Sequence, residues 1–352
     1  MKISARPKEA ACILPGKIVQ ASELQTGYSA VIMTDKNMLN SLVPVALTAC
    51  SGYEDLSQAL DRVLEQIAFP VNLQGSEVLL KPNLISAKSG SLPCTEGRLI
   101  LAAARRFLDL GARVGIGDSP AFGTAASVLD KLGLLEELAY LGVQVRSFHQ
   151  GLSVELPGKG RATLARAALE CDLLVNLPRV KAHDQARLTM AVKNYFGCLV
   201  GLRKAWWHMA YGGRRSSKKD GFFDRIIRLP DALPPSVSII DGIRAMHRRG
   251  PVHGLPYPLA VLAAAGNPVA ADRALQIILK VAPQDCPLMA ACRRAGRAGA
   301  RAAQLSFPLA APEELQVDDF QVPAVLNPVR FNPFRFVLST ARRMLMSRTK
   351  AV

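Results

Sequence analysis

The sequence predicts an α/β fold with a largely parallel sheet flanked by helices, because short apolar runs alternate with longer amphipathic segments. The strand-like runs are residues 43–48, 77–81, 113–117, 143–147, 173–177, 237–240 and 259–264. The segments with helical periodicity are residues 56–67, 95–110, 124–141 with a break at Gly133, and 269–281. Parallel strands need crossover connections of about a dozen residues, and these segments supply them.

The ends of several elements carry recognisable signals. Thr95 is the predicted N-cap of the second helix and Gly111 ends that helix. Residues 152–164 predict a small β-excursion from the sheet. Residues 204–219 are basic, aromatic and rich in glycine, which indicates a mobile loop or a basic lid. Asp118 follows a strand and precedes a helix, so it is interpreted either as an N-cap or as a ligand-binding residue.

Three regions divide the chain in this interpretation. Residues 1–40 form an N-terminal extension, residues 41–303 form the α/β core, and residues 304–352 form a C-terminal extension. The last region ends in a basic amphipathic tail, in which Phe334, Leu338, Ala341 and Leu345 share one helical stripe. Such a tail is compatible with peripheral membrane contact. Packing against the core or against a partner is the interpretation that we favour.

Composition excludes several classes of protein. The chain has 352 residues, of which 49% are hydrophobic and 20% charged, values typical of a globular protein. No apolar run approaches the roughly 20 residues that span a bilayer, and no sustained apolar segment follows the first basic residues. Seven cysteines are scattered without a C-x-x-C pair, so no iron–sulfur cluster is expected within this chain. The predicted location is therefore the reducing cytoplasm.

The chain is strongly basic, with a formal net charge of +16. The excess is concentrated in residues 203–228, in residues 293–301 and in the tail after Asn327. This balance favours anionic partners, namely a small anionic ligand, an acidic protein or a lipid surface. The alternative is a solvated arginine-rich surface. Nucleic acid is not a predicted partner, because no recognition motif occurs and aromatic residues make up only 6% of the chain.

Polar residues follow the predicted strands. Lys81 and Asn83 follow the second strand, Asp118 and Ser119 follow the third, and Asp241 follows the run at 237–240. Because the carboxyl ends of parallel strands lie at one edge of a sheet, these side chains are expected to converge there.

The segment from Leu177 to Gly197 contributes the largest group of candidates. Lys181 and His183 follow a strand, and Thr189 and Lys193 are four apart, which would place them on one helix face. Asn194 is adjacent. Together these side chains predict an anion cradle, in which a lysine near another cation has a lowered pKa. The structural alternative is that the lysines are solvated and that His183 is an ordinary loop residue.

Two further residues are candidates with open alternatives. His208 follows an aromatic pair in the predicted lid, where it either closes over a ligand or packs in the core. Asp272 lies on an otherwise apolar helix. It is interpreted as a partner of a nearby lysine or of the loop at 241–242, or as a catalytic group.

These blocks together resemble the domain-of-unknown-function 362 family. The residues that carry the resemblance extend from about residue 43 to residue 282 and are Lys81-Pro82-Asn83, Thr95, Gly117-Asp118-Ser119, Leu177-Pro178, Lys181, His183, Thr189, Lys193-Asn194, Phe196-Gly197, His208, Asp241-Gly242, Gly250-Pro251, Gly254 and Asp272. Members of this family are often fused to ferredoxin-like iron–sulfur modules. This chain lacks the clustered cysteines, so the resemblance implies that any cluster would come from a partner.

The sequence thus leads to two functional hypotheses. In the first, the protein is an enzyme for a small anionic or phosphorylated ligand, with a redox link suggested only by the family's fusions. Its predicted catalytic residues are Lys181, His183, Lys193 and His208, and its predicted ligand-binding residues are Lys81, Asn83, Asp118, Ser119, Thr189, Asn194 and Asp241. In the second, it is a non-catalytic accessory protein that binds a cofactor or metal centre and works with an iron–sulfur or other acidic partner. Neither the cofactor nor a metal is specified by the sequence.

Overall fold

The computed structural model describes residues 42–86, 90–213, 216, 218 and 221–328. Its strands are β1 Val43–Pro44, β2 Ala46–Ala49, β3 Glu77–Pro82, β4 Arg113–Ile116, β5 Gln144–Val145, β6 Gly151–Leu156, β7 Gly160–Ala165, β8 Leu173–Leu177, β9 Arg179–His183, β10 Arg187–Thr189, β11 Ser236–His247, β12 Leu255–Tyr257, β13 Val261–Ala265 and β14 Leu305–Ser306. The predicted extension and tail at residues 1–40 and 329–352 lie outside the described residues.

A large mixed sheet forms the centre of the described fold, with the strand order β10-β9-β11-β8-β3-β4-β5. Strands β8, β3, β4 and β5 are parallel to one another, and β11 is parallel to both β8 and β9. Antiparallel pairing occurs where β10 pairs with β9 and where β12, β13 and β2 join beyond β11. The predicted mostly parallel sheet is therefore confirmed, as is the predicted β-excursion, which is the β6–β7 hairpin.

Helices cover both faces of this sheet. They are α1 Leu56–Leu64, α2 Gly97–Asp109, α3 Ala125–Lys131, α4 Leu135–Tyr140, α5 Arg166–Leu169, α6 Ala191–Asn194, α7 Arg203–Tyr211, α8 Phe222–Ile226, α9 Pro268–Ile278 and α10 Pro287–Arg294. Helices α1 to α4 pack on one face with Val78 and Leu80 of β3, whereas α6 and α8 to α10 pack on the other face with Leu79. Successive side chains of a strand point to opposite faces of the sheet, and here both faces are covered, so one strand contributes to both cores.

Four local predictions near the strand ends are wrong. The run at 237–240 continues as β11 to His247, so Asp241 lies within a strand instead of after it. Lys181 and His183 belong to β9 and not to a loop. Thr189 ends β10, so it does not share a helix face with Lys193. The predicted loop at 204–219 begins as helix α7.

The predicted N-cap at Thr95 is also wrong, as is the N-cap alternative for Asp118. Helix α2 begins after Glu96, and the Thr95 hydroxyl instead donates to the Leu177 carbonyl and accepts the Asn83 N–H. Asp118 caps no helix, because Thr124 caps α3. The Thr95 hydroxyl therefore ties the loop after β3 to the end of β8, at the edge of the sheet where ligands bind in parallel α/β folds.

The described part of the predicted C-terminal extension lies against the core. β14 pairs in parallel with β1, and the Phe320 ring is buried against the rings of Tyr257 and His247. The domain boundary at residue 304 stays a prediction. Within the described ranges, none of the helices has the length and apolar character that a bilayer crossing needs.

Candidate functional site

A cleft of about 560 Å³ opens at the carboxyl ends of β3, β4 and β9. We call it the Lys/His cleft. Its lining includes the predicted site residues Asn83, Asp118, Ser119, His183, Lys193, Asn194 and His208. Side chains that the sequence placed in separate blocks are thus brought together by the fold.

One wall of the Lys/His cleft is a buried ion pair. Lys81 Nζ donates to Asp118 Oδ1 at 2.7 Å, and the lysine side chain is fully buried. The other carboxylate oxygen of Asp118 accepts the Leu84 N–H at 2.8 Å. Gly197 lies directly against this pair, where a Cβ atom would collide with both charged groups. Lys81 is therefore an internal partner of Asp118 and does not line the cleft.

A lysine and a histidine meet inside the cleft. Lys193 Nζ of α6 lies 3.4 Å from His183 Nε2 at the end of β9. The other ring nitrogen, His183 Nδ1, accepts the Gln185 N–H at 3.1 Å. A neutral imidazole that accepts at Nδ1 carries its proton at Nε2. The Nε2–H group therefore faces the Lys193 nitrogen, and that contact is a hydrogen bond only when the lysine is a neutral amine.

The electrostatics of the pair make that neutral state more accessible than it is for a lysine in water. Burial lowers the pKa of Lys193 to about 8. Burial, followed by the nearby charges of Lys193 and Lys181, holds the pKa of His183 well below its usual value. Both groups thus lose protons more easily than they would in water.

Helix α7 brings two more basic side chains to the cleft. Lys204 donates to the Ser119 carbonyl, and burial lowers its pKa to about 8. The His208 ring lies 4.5 Å from the Phe222 ring and 5.5 Å from the Phe196 ring, centre to centre. Burial lowers the pKa of His208 to about 4, so this imidazole is neutral at physiological pH. The sequence had noted Lys204 only as part of a basic segment.

A second, smaller cavity of about 40 Å³ adjoins the cleft and shares Asn83, Lys193 and Asn194 with it. We call it the side chamber. It is lined by Asn83, Pro178, Arg179, Lys181, Thr189, Met190, Lys193 and Asn194. Lys181 and Thr189, which were predicted for the main site, thus lie in the side chamber and not in the Lys/His cleft.

The two asparagines connect the strands around both cavities. Asn83 Nδ2 donates to the Pro93 carbonyl at 2.6 Å. Asn194 Nδ2 donates to the Lys81 carbonyl and to Asn176 Oδ1 at 3.2 Å and 2.8 Å. These amides therefore hold the walls of the cavities as well as lining them.

Asp241 lies away from both cavities. Its carboxylate accepts hydrogen bonds from Arg179 Nε at 2.8 Å and from the Tyr53 hydroxyl at 2.7 Å. Arg179 also pairs with Glu96, and both Arg179 and Asp241 have fully buried side chains. Asp241 was predicted to face the ligand, but it is instead part of a buried network of charged side chains. Sequence reasoning missed Arg179 and Tyr53, because neither stands in a local pattern that indicates its distant partner.

Asp272 has a structural partner that neither interpretation anticipated. Its carboxylate accepts the N–H groups of Ala191 and Val192 at 2.7 Å and 3.2 Å, at the start of α6. It therefore orients the short helix that carries Lys193. Among the described residues, no three histidine, cysteine, aspartate or glutamate side chains group closely enough to hold a metal ion.

The lowered pKa of Lys193 predicts a specific pH dependence of stability. The lysine binds a proton less readily in the folded state than in the unfolded chain, so the free energy of unfolding rises with pH from about 8 to the ordinary lysine value. Relative to Lys193→Met, the wild type should gain stability with a slope approaching about 1.4 kcal/mol per pH unit in this window. Urea unfolding at several pH values measures the slope. Exposed Lys131→Met is the control and should follow the wild type; parallel curves for Lys193→Met would exclude the shift.

Three comparisons place these features in context. The sequence matches the family described as Domain of unknown function (DUF362) over residues 78–276. A thylakoid-associated protein of Synechocystis sp. is 36% identical over 302 residues, which cover 84% of this chain and 92% of the relative. Among solved structures, the lactate racemase apoprotein from Thermoanaerobacterium thermosaccharolyticum aligns with a TM-score of 0.38 and 14% identity. That alignment covers 57% of this chain and about half, 51%, of the racemase chain.

Proposed function

The chain belongs to the DUF362 family, and we propose that it is an enzyme that binds a small anion in the Lys/His cleft and moves a proton to or from it. The observation that carries the proposal is the contact between Lys193 and His183. A neutral amine at the wall of a cleft, with its pKa near the working pH, is suited to general base catalysis.

The charge of the cleft supports an anionic ligand. Lys193 and Lys204 both line it. Of the two carboxylates in the lining, Asp118 is paired with Lys81, and Asp184 lies 4.0 Å from Arg249. Lys204, together with Lys193 in its protonated state, therefore exceeds the unpaired anions of the cleft, and a carboxylate or phosphate group would restore the balance.

The proposed step is removal of a proton from a carbon of the anionic ligand that is bonded to a carbonyl or carboxylate carbon. The C–H bond breaks, its electron pair stays on the ligand as an enolate, and the proton passes to the Lys193 amine. The His183 Nε2–H group holds the free amine at the wall of the cleft; the amine releases this hydrogen bond and turns its one lone pair to the ligand before it takes the proton. Lys204 balances the growing negative charge. An ammonium formed at Lys193 is buried, so returning the proton is favourable and the step is reversible.

Deuterium exchange tests this step without knowledge of the full reaction. We expect the wild type in D₂O to replace C–H hydrogens in at least one member of a panel of small carboxylates and phosphorylated carbonyl compounds, followed by ¹H NMR. Lys193→Met should slow that exchange about 100-fold or more, because a general base contributes about 10²–10⁴-fold. Lys131→Met, at an exposed site, should exchange at the wild-type rate.

A ligand that binds in the cleft without any exchange would contradict the proton-transfer step. That outcome would favour the second proposal, a non-catalytic accessory role with an iron–sulfur or other acidic partner. The basic segments at 203–228 and 293–301 support such a partner, since they would attract an acidic surface. The redox link rests on the fusions within the family and on none of the described contacts of the cleft.

We further propose that the protein is cytoplasmic and binds peripherally to the surface of a membrane. The relative from Synechocystis sp. is named as thylakoid-associated, which supports contact with a membrane surface. In this chain the proposed contact is the amphipathic tail, whose apolar stripe Phe334, Leu338, Ala341 and Leu345 would enter the lipid while the arginines around it attract anionic headgroups.

A further inference from the structure

The side chamber is surrounded by positive charge. Three of its lining residues have basic side chains, namely Arg179, Lys181 and Lys193. Among the described residues that line it, none has a carboxylate side chain. Arg179 forms ion pairs with Asp241 and Glu96. Lys193 faces His183. Lys181, like Lys193, thus has no carboxylate within ion-pair distance among the described residues.

The Lys181 ammonium is buried, with only 3% of the residue exposed. Its Nζ donates to the Pro93 carbonyl at 2.8 Å, and that bond uses one of three ammonium protons. A carbonyl oxygen carries only a partial charge. An ammonium in this position is therefore stabilised far less than one that contacts an anion.

Thr189 supplies a second donor at the same place. It lies directly opposite Lys181 in the β9–β10 pairing, so the two side chains project from the same face of the sheet. Its hydroxyl oxygen is buried and has no hydrogen-bond partner among the described residues. Buried hydroxyl groups are normally hydrogen-bonded, so this one indicates a missing partner.

We propose that the side chamber binds one compact monovalent anion of halide size between the Lys181 ammonium and the Thr189 hydroxyl. The volume of about 40 Å³ fits, because one water molecule needs about 10–15 Å³ of such space. The anion would accept from both donors and balance the lysine charge. Water alone would satisfy the hydroxyl and leave the charge uncompensated. This site adjoins the proposed ligand site and shares Lys193 with it, but it does not depend on the proposed reaction.

The proposal also specifies how binding responds to pH. The groups that face Lys181 are Arg179 on its own strand, Lys193 from α6, Cys94 from the segment before α2, and Asp118 from the segment after β4. Burial lowers the pKa of Lys181 to about 7. The anion binds the protonated lysine, so affinity should fall about tenfold for each pH unit above neutrality.

Bromide is the probe for the crystallographic test. Crystals of the full chain grown in sodium bromide at pH 6 should show an anomalous peak within contact distance of Lys181 Nζ and Thr189 Oγ. Crystals grown at pH 9 should show a much weaker peak. A side chamber that contains only water at pH 6 would overturn the proposal.

Chloride-35 line broadening tests the same site in solution, with the small carboxylates and phosphates left out. In the wild type, bromide should displace bound chloride and reduce the chloride-35 line broadening. Lys181→Met should abolish this bromide-sensitive part of the broadening. Thr189→Val, which preserves shape, should weaken chloride binding at least threefold while keeping the pH dependence. Lys131→Met should behave as the wild type. If the chloride-35 broadening were unchanged in both Thr189→Val and Lys181→Met, the proposed anion site would be refuted. If Lys181→Met does not fold, the result for Thr189→Val alone tests the site. Loss of deuterium exchange in Lys193→Met bears only on the proposed reaction.

Discussion

Gly197→Ala is expected to lower the free energy of unfolding by about 3 kcal/mol and to slow ligand exchange about tenfold or more. The reason is that an added Cβ atom collides with Asp118 Oδ1 and Lys81 Nζ, the two atoms of the buried ion pair. Neither group can move into solvent, because both side chains are buried. Separation of the pair would leave a buried charge without its partner and would move the loop that Asp118 holds at Leu84.

Urea unfolding and the deuterium assay measure the two effects of Gly197→Ala. The matched control is Gly266→Ala, because a Cβ atom at Gly266 meets open space. That variant should unfold within about 0.5 kcal/mol of the wild type and keep its exchange rate. If Gly197→Ala were as stable and as active as Gly266→Ala, the Lys81–Asp118 pair could not be a rigid wall of the cleft.

Asp241→Asn is expected to destabilise the fold by about 3–5 kcal/mol, since removing one partner of a buried pair leaves an uncompensated charge. Arg179 would keep Glu96, but the acceptor 2.8 Å from its Nε atom would lose its negative charge. The Tyr53 hydroxyl would lose its charged acceptor as well. Both charged side chains are fully buried.

The midpoint of urea unfolding measures this loss, with exposed Asp130→Asn as the control that should stay near the wild type. Ligand binding by the folded fraction of Asp241→Asn should keep the wild-type affinity, because Asp241 lines neither cavity. A folded variant of normal stability that has lost ligand binding would restore Asp241 as a ligand-binding residue.

The sequence was most informative where a residue's place follows from a strand end. The segments after β3 and β4 carry Asn83 and Asp118, and the carboxyl-edge rule brings them together in any parallel sheet. His183 and Lys193 reach the same cleft, although the elements that carry them were assigned incorrectly. The convergence of these blocks was therefore predictable without the correct local structure.

Asp241 and Arg179 show why other parts were not predictable. An apolar run that meets a carboxylate usually ends there, because an unpaired charge is costly inside a sheet. Here β11 continues past Asp241, since Arg179 of β9 neutralises it across 62 residues of sequence. Nothing in the local sequence indicates that pairing, so the strand was predicted too short.

Two other errors come from short elements and from a weak helical pattern. β10 has three residues and α6 has four, fewer than periodicity can resolve. Thr189 and Lys193 therefore looked like one helix, whereas the chain turns between them. In α7 the apolar and basic positions are mixed, so its helical pattern is weak and the segment resembled a loop.

Helix α7 has a practical consequence for spectroscopy. The chain contains two tryptophans, and both are neighbours on this helix. Trp207 is buried with its ring centre 6.1 Å from that of Phe196, whereas Trp206 is about half exposed. All tryptophan fluorescence therefore originates beside Lys204 and His208. Emission from the unlabelled protein should report any rearrangement of this helix when the cleft is filled, with one indole sensing the interior and the other sensing the solvent.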